Sequence, residues 1–181
     1  MQRTPGRKQV KLLEREALTS YAAQALAARA QSVSELRTRL LRKASRKEDV
    51  EEILGYLKES GYMDDKRFAG SFAEWRKENQ GLGKARVVRD LMARRVAPAV
   101  AQAAAESVYQ GTDEVTLIEA FLARKYRGKN LRVLLAEPKN LASAYRKLRT
   151  GGFSGGNSIR VLKRYAAMAE EIEEDDGEAG S

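Results

Sequence analysis

Internal repetition is the feature that most constrains how this chain of 181 residues can fold. The segment 57–62 is echoed 91 residues later by the segment 148–153. A second pattern, with apolar side chains at i and i+4 and a basic one at i+8, occurs three times: Tyr21, Ala25, Arg29; Phe68, Phe72, Arg76; and Leu117, Phe121, Lys125. The first two copies lie 47 residues apart. A helical pattern with this period predicts tandem small bundles, because one such unit cannot bury its apolar face alone. Arrays of this kind typically bind extended partners.

Apolar residues recur at helical spacing and no alternating β pattern occurs, so the sequence predicts an all-α fold. Ser32 or Ser34, and then Ser45, are predicted helix N-caps, and the last helix is predicted over about 156–172. Gly61 is predicted to end a helix in the left-handed conformation, with Tyr62 folding back as the apolar contact of that cap. The expected architecture is tandem three-helix-bundle repeats forming an elongated, curved array, with a basic flexible arm (1–13), three repeats (14–63, 64–111 and 112–172) and an acidic tail (173–181).

The chain contains neither cysteine nor histidine. Disulfides, thiol nucleophiles, Cys/His zinc sites and imidazole acid–base chemistry are therefore excluded. No other catalytic constellation occurs, so we expect a non-enzymatic protein without a cofactor or metal. The first 20 residues are basic and polar, and no run of about 18 apolar residues is present, so neither a secretory signal nor a membrane span is expected. These features favour a cytoplasmic protein.

Charge is distributed unevenly along the chain. The net charge is +9, and the segment from residue 170 onward holds seven acids and no base, so the residues before it carry +16. A body this basic attracts polyanions such as nucleic acid, or an acidic groove on another protein. The alternative is a solvated cationic surface that keeps the protein soluble. Clustering of the basic residues favours a binding role.

Three short motifs have two interpretations each. Gly81-Leu82-Gly83 before Lys84 could form a phosphate loop, but between two helices it is better explained as a helix break. The pair Asp64-Asp65 could ligate a divalent cation, but capping a helix N-terminus explains it more simply. Trp75 beside Arg76 and Lys77 could form a base-stacking platform. A Trp that continues an apolar helical stripe is more often core, so we predict partial burial of Trp75, with both cations outside.

Basic residues recur at equivalent positions of the predicted repeats and carry the strongest functional signal. Along an array they would form a cationic stripe that suits a polymeric partner, either nucleic acid or a protein filament. The candidate partner- and DNA-binding residues are Arg37, Arg39, Lys43, Arg76, Lys77, Lys84, Arg86, Arg89, Arg94, Arg95, Arg124, Lys125, Arg127, Lys129 and Arg132.

Three segments resemble signatures of one family: residues 29–40, residues 61–69 with Phe72 and Arg76, and Gly81-x-Gly83-x-x-Arg86 with Leu91. Together they are similar to the bacterial recombination regulator RecX, over about residues 17–165. The resemblance implies about nine helices in three tandem three-helix repeats. It also implies binding along the groove of the RecA–single-stranded-DNA filament, and modulation, usually inhibition, of RecA ATPase, strand exchange and co-protease activity. The chain has Arg95-Val96 where the family usually has glycine before an aliphatic residue.

Two function classes follow. The leading hypothesis is a filament-binding modulator of RecA, acting as a monomer, with single-stranded DNA and also double-stranded DNA as candidate partners. The alternative is a DNA-binding transcriptional regulator of the helix-turn-helix type, for which three-helix units with basic helices would serve. Against it, no helix N-terminus concentrates the Asn, Gln and Arg residues that read base edges.

Overall fold

The structure is a computed structural model, and it describes residues 12–166. Over this range the chain forms ten α-helices, and an isolated bridge pairs Leu13 with Ala44. The helices are α1 (Arg15–Ala28), α2 (Val33–Leu41), α3 (Lys47–Glu59), α4 (Asp65–Trp75), α5 (Lys84–Ala93), α6 (Pro98–Tyr109), α7 (Glu114–Lys125), α8 (Leu131–Leu135), α9 (Pro138–Gly151) and α10 (Gly155–Leu162). A π-helical segment, Arg76–Gln80, continues α4. The all-α prediction is confirmed. None of the helices in the described range is long and apolar enough to cross a membrane.

The described chain divides into two compact units. The first unit comprises residues 12–68 and 94–96, and the second comprises residues 69–93 and 97–166, so the boundary falls inside α4. The resemblance implies about nine helices, and the described range holds ten, the shortest being the five-residue α8. The division into three repeats at 14–63, 64–111 and 112–172 remains a prediction.

In the first unit, α1, α2 and α3 pack around a core that includes Leu18, Leu36 and Val50. Ser32 begins α2 with a capping box, because its Oγ accepts from the Glu35 amide at 3.1 Å while Glu35 accepts from the Ser32 amide at 3.2 Å. The buried Gln31 donates to the Ala25 carbonyl at 2.7 Å. The connection between α1 and α2 is therefore fixed at both ends.

In the second unit, α10 packs on α7 and α9, and α5 packs on α6 and α9. The core between α7, α9 and α10 includes Ile118, Leu122, Leu148 and Leu162, all fully buried, and Phe153. Most of its buried side chains are aliphatic, in keeping with the low aromatic content of 7% in the sequence.

The repeated segments 57–62 and 148–153 share the backbone conformation of their glycine, but the aromatic residue that follows it is buried in only one of them. Gly61 (φ 71°) and Gly152 (φ 89°) both adopt the left-handed conformation that favours glycine at a helix end. Phe153 is 2% exposed, whereas Tyr62 is 67% exposed. The prediction that Tyr62 is the apolar contact of its cap is therefore wrong, because the buried Met63 occupies the core position and its amide binds the Leu57 carbonyl at 3.0 Å.

Two predicted helix ends also differ from the structure. Ser45 does not cap α3, because its Oγ donates instead to the Leu13 carbonyl at 2.8 Å and to Glu14 at 2.9 Å. Helix α10 ends at Leu162 rather than near 172, since i→i+3 hydrogen bonds tighten the next turn and pack Tyr165 against the core. Residues 167–172, the acidic tail 173–181 and residues 1–11 of the basic arm lie outside the described residues.

The apolar stripe predicted for α4 has a different buried face. Ala69 and Ala73 are fully buried, whereas Phe68 and Phe72 are half-buried. Each ring lies under a guanidinium group: Arg94 is 5.3 Å from the centroid of Phe68, and Arg76 is 5.0 Å from that of Phe72. Small side chains therefore allow close packing of α4, while the large rings support cations beside it.

Candidate partner-binding surface

Several of the predicted binding cations bind the carbonyl ends of helices, where main-chain acceptors lack intrahelical partners. Lys77 Nζ donates to the Val108 carbonyl at 2.8 Å and to Thr112 Oγ1 at 2.7 Å, near the end of α6. Arg124 donates to the carbonyl of Asn79 at 3.0 Å and also to that of Gln80, at the end of the π-helical segment. A cation at this position also opposes the negative end of the helix dipole. Lys77 and Arg124 therefore stabilise the second unit.

Arg86 and Arg89 belong to α5, and both contact the carbonyl end of α9. Arg86 Nη1 and Arg89 Nη2 each lie 3.3 Å from the carbonyl oxygen of Thr150, in the last turn of α9. Arg86 also donates through Nε to Asp90 at 2.8 Å. Arg89 is exposed and Arg86 is half-buried, so each keeps part of its guanidinium open to solvent.

Arg94 is a structural residue of the first unit. Its Nε donates to Glu35 Oε1 at 2.7 Å, its Nη2 donates to the Ala30 carbonyl at 2.9 Å, and its own carbonyl accepts from Ser32 Oγ at 2.6 Å. The Arg94 and Glu35 side chains are 26% and 15% exposed, so the pair is shielded from water. Both the side chain and the main chain of Arg94 therefore bind groups at the start of α2.

The prediction that Arg76 and Lys77 lie outside, beside a partly buried Trp75, is wrong for the two cations. Trp75 is 51% exposed, whereas the Arg76 side chain is 24% exposed and Lys77 is half-buried. Arg76 Nη2 lies 3.1 Å from Asp90 Oδ2, close enough for an ion pair but without hydrogen-bond geometry. The cause is ordinary helical spacing: Arg76 follows the half-buried Phe72 by four residues and Lys77 follows the fully buried Ala73 by four, so both cations continue the inward side of α4.

In the first unit, the predicted cations are held more weakly. Arg37 Nε lies 2.6 Å from Glu51, in a pair whose members are both more than half exposed. Arg39 Nε donates to the Tyr21 hydroxyl at 2.8 Å and lies over that ring. Lys43 is half-buried, and its carbonyl accepts from the Leu13 amide at 2.6 Å. Exposed ion pairs such as that of Arg37 contribute little stability, so this side chain can exchange partners.

A second group of predicted cations is exposed and makes no side-chain hydrogen bond or ion pair within residues 12–166. Three of them follow α7 closely, in the connection to α8 and its first turn, and one, Arg95, has a left-handed backbone (φ 60°). The members of this group, here called the free cations, are Lys84, Arg95, Lys125, Arg127, Lys129 and Arg132.

The Gly81-Leu82-Gly83 motif is explained by close packing. Gly81 (φ 57°) ends the π-helical segment in the left-handed conformation. The Gly83 amide donates to the Gly151 carbonyl at 2.8 Å, and a Cβ added at Gly83 would lie 2.4 Å from the carbonyl oxygen of Gly152. The start of α5 and the end of α9 thus touch through their main chains, which requires glycine at this position.

The Asp64-Asp65 pair serves two helix N-termini. Asp64 Oδ1 accepts from the amides of Lys66 at 2.8 Å and Arg67 at 3.1 Å, and hydrogen bonds from these two amides, Arg67 first, lower the pKa of its carboxyl group. Asp65 Oδ1 instead accepts from the Val33 amide at 2.8 Å, in the first turn of α2. Capping therefore accounts for both carboxylates.

The second unit also contains a cationic cleft that the sequence reasoning missed in part. The cleft has a volume of about 390 Å³ and lies between α7 and α9, beside the start of α5. Within the described part of the chain four cations line it: Arg86 and Lys125, which were predicted, and Arg146 and Lys147, which were not. The overlooked signal is the i, i+3, i+4, i+7 spacing of Ser143, Arg146, Lys147 and Thr150, which places them on one face of α9.

The chain is similar to known proteins over nearly its whole length. The sequence profile described as "RecX, second three-helix domain" matches residues 64–104. Regulatory protein RecX of Deinococcus radiodurans is 34% identical over 172 residues, which cover 91% of this chain and 76% of that protein. Regulatory protein RecX of Chlorobium limicola is 37% identical over 84 residues, covering 46% of this chain and 53% of that protein.

Two solved structures share the fold at low sequence identity. The crystal structure of RecX from Lactobacillus salivarius superposes with a TM-score of 0.62 and 19% identity, covering 83% of this chain and 96% of that one. A second crystal structure, of regulatory protein RecX, has a TM-score of 0.59 and 17% identity, covering 81% of this chain and 72% of that one. These two structures show the shared fold, whereas the match to the Deinococcus protein over most of both chains, together with the domain profile, shows that the chain belongs to the RecX family.

Proposed function

We propose that this chain is a regulatory protein that binds the RecA–single-stranded-DNA filament and inhibits RecA ATPase, strand exchange and co-protease activity. Its membership of the RecX family supports a regulatory role. The single observation that carries the choice of a polyanionic partner is the set of free cations, whose side chains are exposed and have no partner in the described chain. The protein is proposed to act as a monomer.

The proposed mechanism is bridging. Weak ionic contacts that are linked within one chain reinforce one another, because after the first contact the others form at a high effective concentration. A protein bound to neighbouring RecA subunits or to the DNA between them would oppose the rearrangements that ATP turnover requires. Binding that depends on phosphate charges also weakens as salt rises, because the counterions released on binding gain less entropy when the surrounding salt is more concentrated.

The structure narrows which residues should be tested. Lys77, Arg94 and Arg124 bind carbonyl groups within their own units, so their removal would disturb the fold as well as any binding. Arg127, Lys129 and Arg132 are exposed and free, so they are the better candidates.

The test is a titration of RecA ATPase on single-stranded DNA with the wild-type chain and two triple variants. One variant carries Arg127→Gln, Lys129→Gln and Arg132→Gln; the control carries Lys47→Gln, Lys58→Gln and Lys66→Gln. Both lose three exposed positive charges. We expect the first variant to need about tenfold more protein for half-inhibition, because each lost contact between a cation and a phosphate group weakens binding. The control should need about twofold more protein or less, because it loses charge but no proposed contact. Equal effects would mean that only net charge matters and would count against these contacts.

A footprinting experiment separates this function from that of a transcriptional regulator. The filament modulator should inhibit RecA equally on single strands of different sequence. A regulator of the helix-turn-helix type would protect one duplex site and leave RecA ATPase unchanged.

A further inference from the structure

The cationic cleft combines two features of a nucleotide-binding site, a set of positive charges and an apolar surface. Its four cations, Arg86, Lys125, Arg146 and Lys147, come from three helices, and none of the residues between 12 and 166 that line it is acidic. A concave surface with charge of one sign concentrates counter-charged ligands more strongly than a flat surface does. The cleft should therefore attract an anion.

The cations form a rim in which two are fixed and two are free. Arg86 is held by Asp90 at 2.8 Å, and Lys147 donates to the Tyr126 hydroxyl at 3.2 Å and lies 5.0 Å from the centroid of that ring. Lys125 and Arg146 are exposed and have no side-chain partner within residues 12–166. The free pair can turn toward a ligand. Lys147 keeps a positive charge at the cleft in the absence of a ligand, because its partner Tyr126 is neutral, whereas Asp90 balances part of the charge of Arg86.

The apolar part of the cleft lining is here called the floor. It is formed by Leu82, Phe121 and the main chain of Gly151. The Phe121 ring is held edge-on against Phe153, with centroids 5.3 Å apart and an interplanar angle of 68°. The main-chain contact of Gly83 with Gly151 fixes the distance between α5 and α9 beside this floor.

We propose that the cleft binds one nucleotide unit of a single-stranded nucleic acid, with the base on the apolar floor and the adjoining phosphates on the cationic rim. Combined stacking surfaces and basic grooves are the usual means by which proteins bind single strands without reading sequence. A volume of about 390 Å³ lies near the lower end of the range of small-ligand sites. It takes one unstacked base, whereas bases in a duplex remain stacked and cannot enter.

An acidic peptide is the competing ligand, because its carboxylates could use the same rim. It would leave the floor without a function, since aspartate and glutamate carry no flat apolar group. The nucleotide uses both rim and floor, and this favours a nucleic acid. The inference rests on the proposed function in that the RecA filament supplies the single strand.

The test measures binding of a fluorescent oligothymidine by anisotropy at low salt, with the full chain and two charge-matched double variants. The cleft variant carries Lys125→Gln and Arg146→Gln, and the control carries Lys66→Gln and Lys139→Gln, at exposed positions outside the cleft. We expect affinity to fall about tenfold in the cleft variant and about twofold or less in the control, with a shallower salt dependence only in the former. Equal losses in the two variants would overturn the proposal.

Two further measurements identify the ligand. Phe121→Leu, which keeps an apolar side chain but removes the aromatic face, should weaken oligothymidine binding by several-fold while leaving polyglutamate binding unchanged. Melting curves confirm that each variant is folded. If the cleft variant loses polyglutamate as strongly as oligothymidine, and Phe121→Leu changes neither, the cleft is an acidic-protein site and the nucleotide proposal fails.

RecA ATPase assays separate this proposal from the proposed function. A cleft variant that binds oligothymidine normally but no longer inhibits RecA would overturn the nucleotide site and leave filament binding standing. A wild-type chain that binds oligothymidine through the cleft but has no effect on RecA would overturn the proposed function and leave the cleft standing.

Discussion

Gly83→Ala should strongly destabilise the second unit, although it adds only one methyl group. The new Cβ would lie 2.4 Å from the carbonyl oxygen of Gly152, 2.5 Å from its carbonyl carbon and 2.8 Å from the amide nitrogen of Phe153. All three are main-chain atoms, so none can rotate aside as the end of a long side chain could. The start of α5 must therefore move away from the end of α9.

The expected cost has two parts. Forcing a methyl group into a filled contact costs roughly 1–3 kcal/mol. The movement also stretches the hydrogen bond from the Gly83 amide to the Gly151 carbonyl, now 2.8 Å, which contributes about 1 kcal/mol. We expect the free energy of unfolding to fall by about 3 kcal/mol, a large part of the roughly 5–15 kcal/mol that stabilises a typical protein.

Urea unfolding followed by tryptophan fluorescence measures this change. Trp75 is the only tryptophan and belongs to the second unit, so its emission reports on the same unit as Gly83. The matched control is Gly70→Ala in α4, where a Cβ would meet no atom of residues 12–166 within 4 Å. This control should stabilise the unit by roughly 0.5–1 kcal/mol, because alanine favours a helix interior over glycine.

The opposite signs of two identical substitutions make the experiment decisive. If Gly83→Ala unfolds at the same urea concentration as the wild type, the main chains of α5 and α9 do not touch as described. The packing explanation of the Gly-x-Gly motif would then be wrong, and a phosphate loop would have to be considered again.

Other perturbations should act as follows. Arg94→Gln should lower the free energy of unfolding by about 2–3 kcal/mol, since it removes a shielded ion pair with Glu35; urea unfolding showing a loss below about 0.5 kcal/mol would contradict this. The pKa of Glu114 is lowered, because hydrogen bonds from Ser154 and Asn157 outweigh the opposing effect of burial. Its stabilisation is therefore complete above the ordinary pKa of 4.5 and is lost as pH falls through the lowered value, so Glu114→Gln should flatten the acid side of a pH–stability curve. Arg95→Gly should raise the melting temperature, because a non-glycine residue at φ 60° costs roughly 1–2 kcal/mol; a lower melting temperature would show that the side chain is held. Deleting residues 170–181 should tighten oligonucleotide binding at low salt and change little at high salt, whereas unchanged affinity at low salt would exclude competition by the acidic tail.

The helices could be predicted from the sequence because burial imposes a regular spacing on apolar residues. Leu36 and Leu40, four residues apart, are both fully buried on α2. Ser32 was recognisable as a cap because a serine three residues before a glutamate satisfies the first amides of a helix locally. Signals of this kind depend only on neighbours in the chain.

The roles of the cations could not be predicted, because they depend on partners far away in the sequence. Lys77 binds a carbonyl 31 residues later, and Arg124 binds one 45 residues earlier. In the sequence both look like members of a basic cluster, as does the exposed Arg127. Charge patterning shows that a region is basic, but only the fold distinguishes a cation that ends a helix from one that is free to bind a partner.

The strained backbone at Arg95 has a consequence for laboratory evolution of this protein. A screen for heat resistance should repeatedly recover glycine at this position, because the substitution relieves the left-handed conformation at φ 60°. A screen for tight filament binding should retain arginine if its exposed charge contacts the partner as proposed. The two selections would thus drive one position in opposite directions, and the outcome of each would show whether the charge or the turn determines fitness.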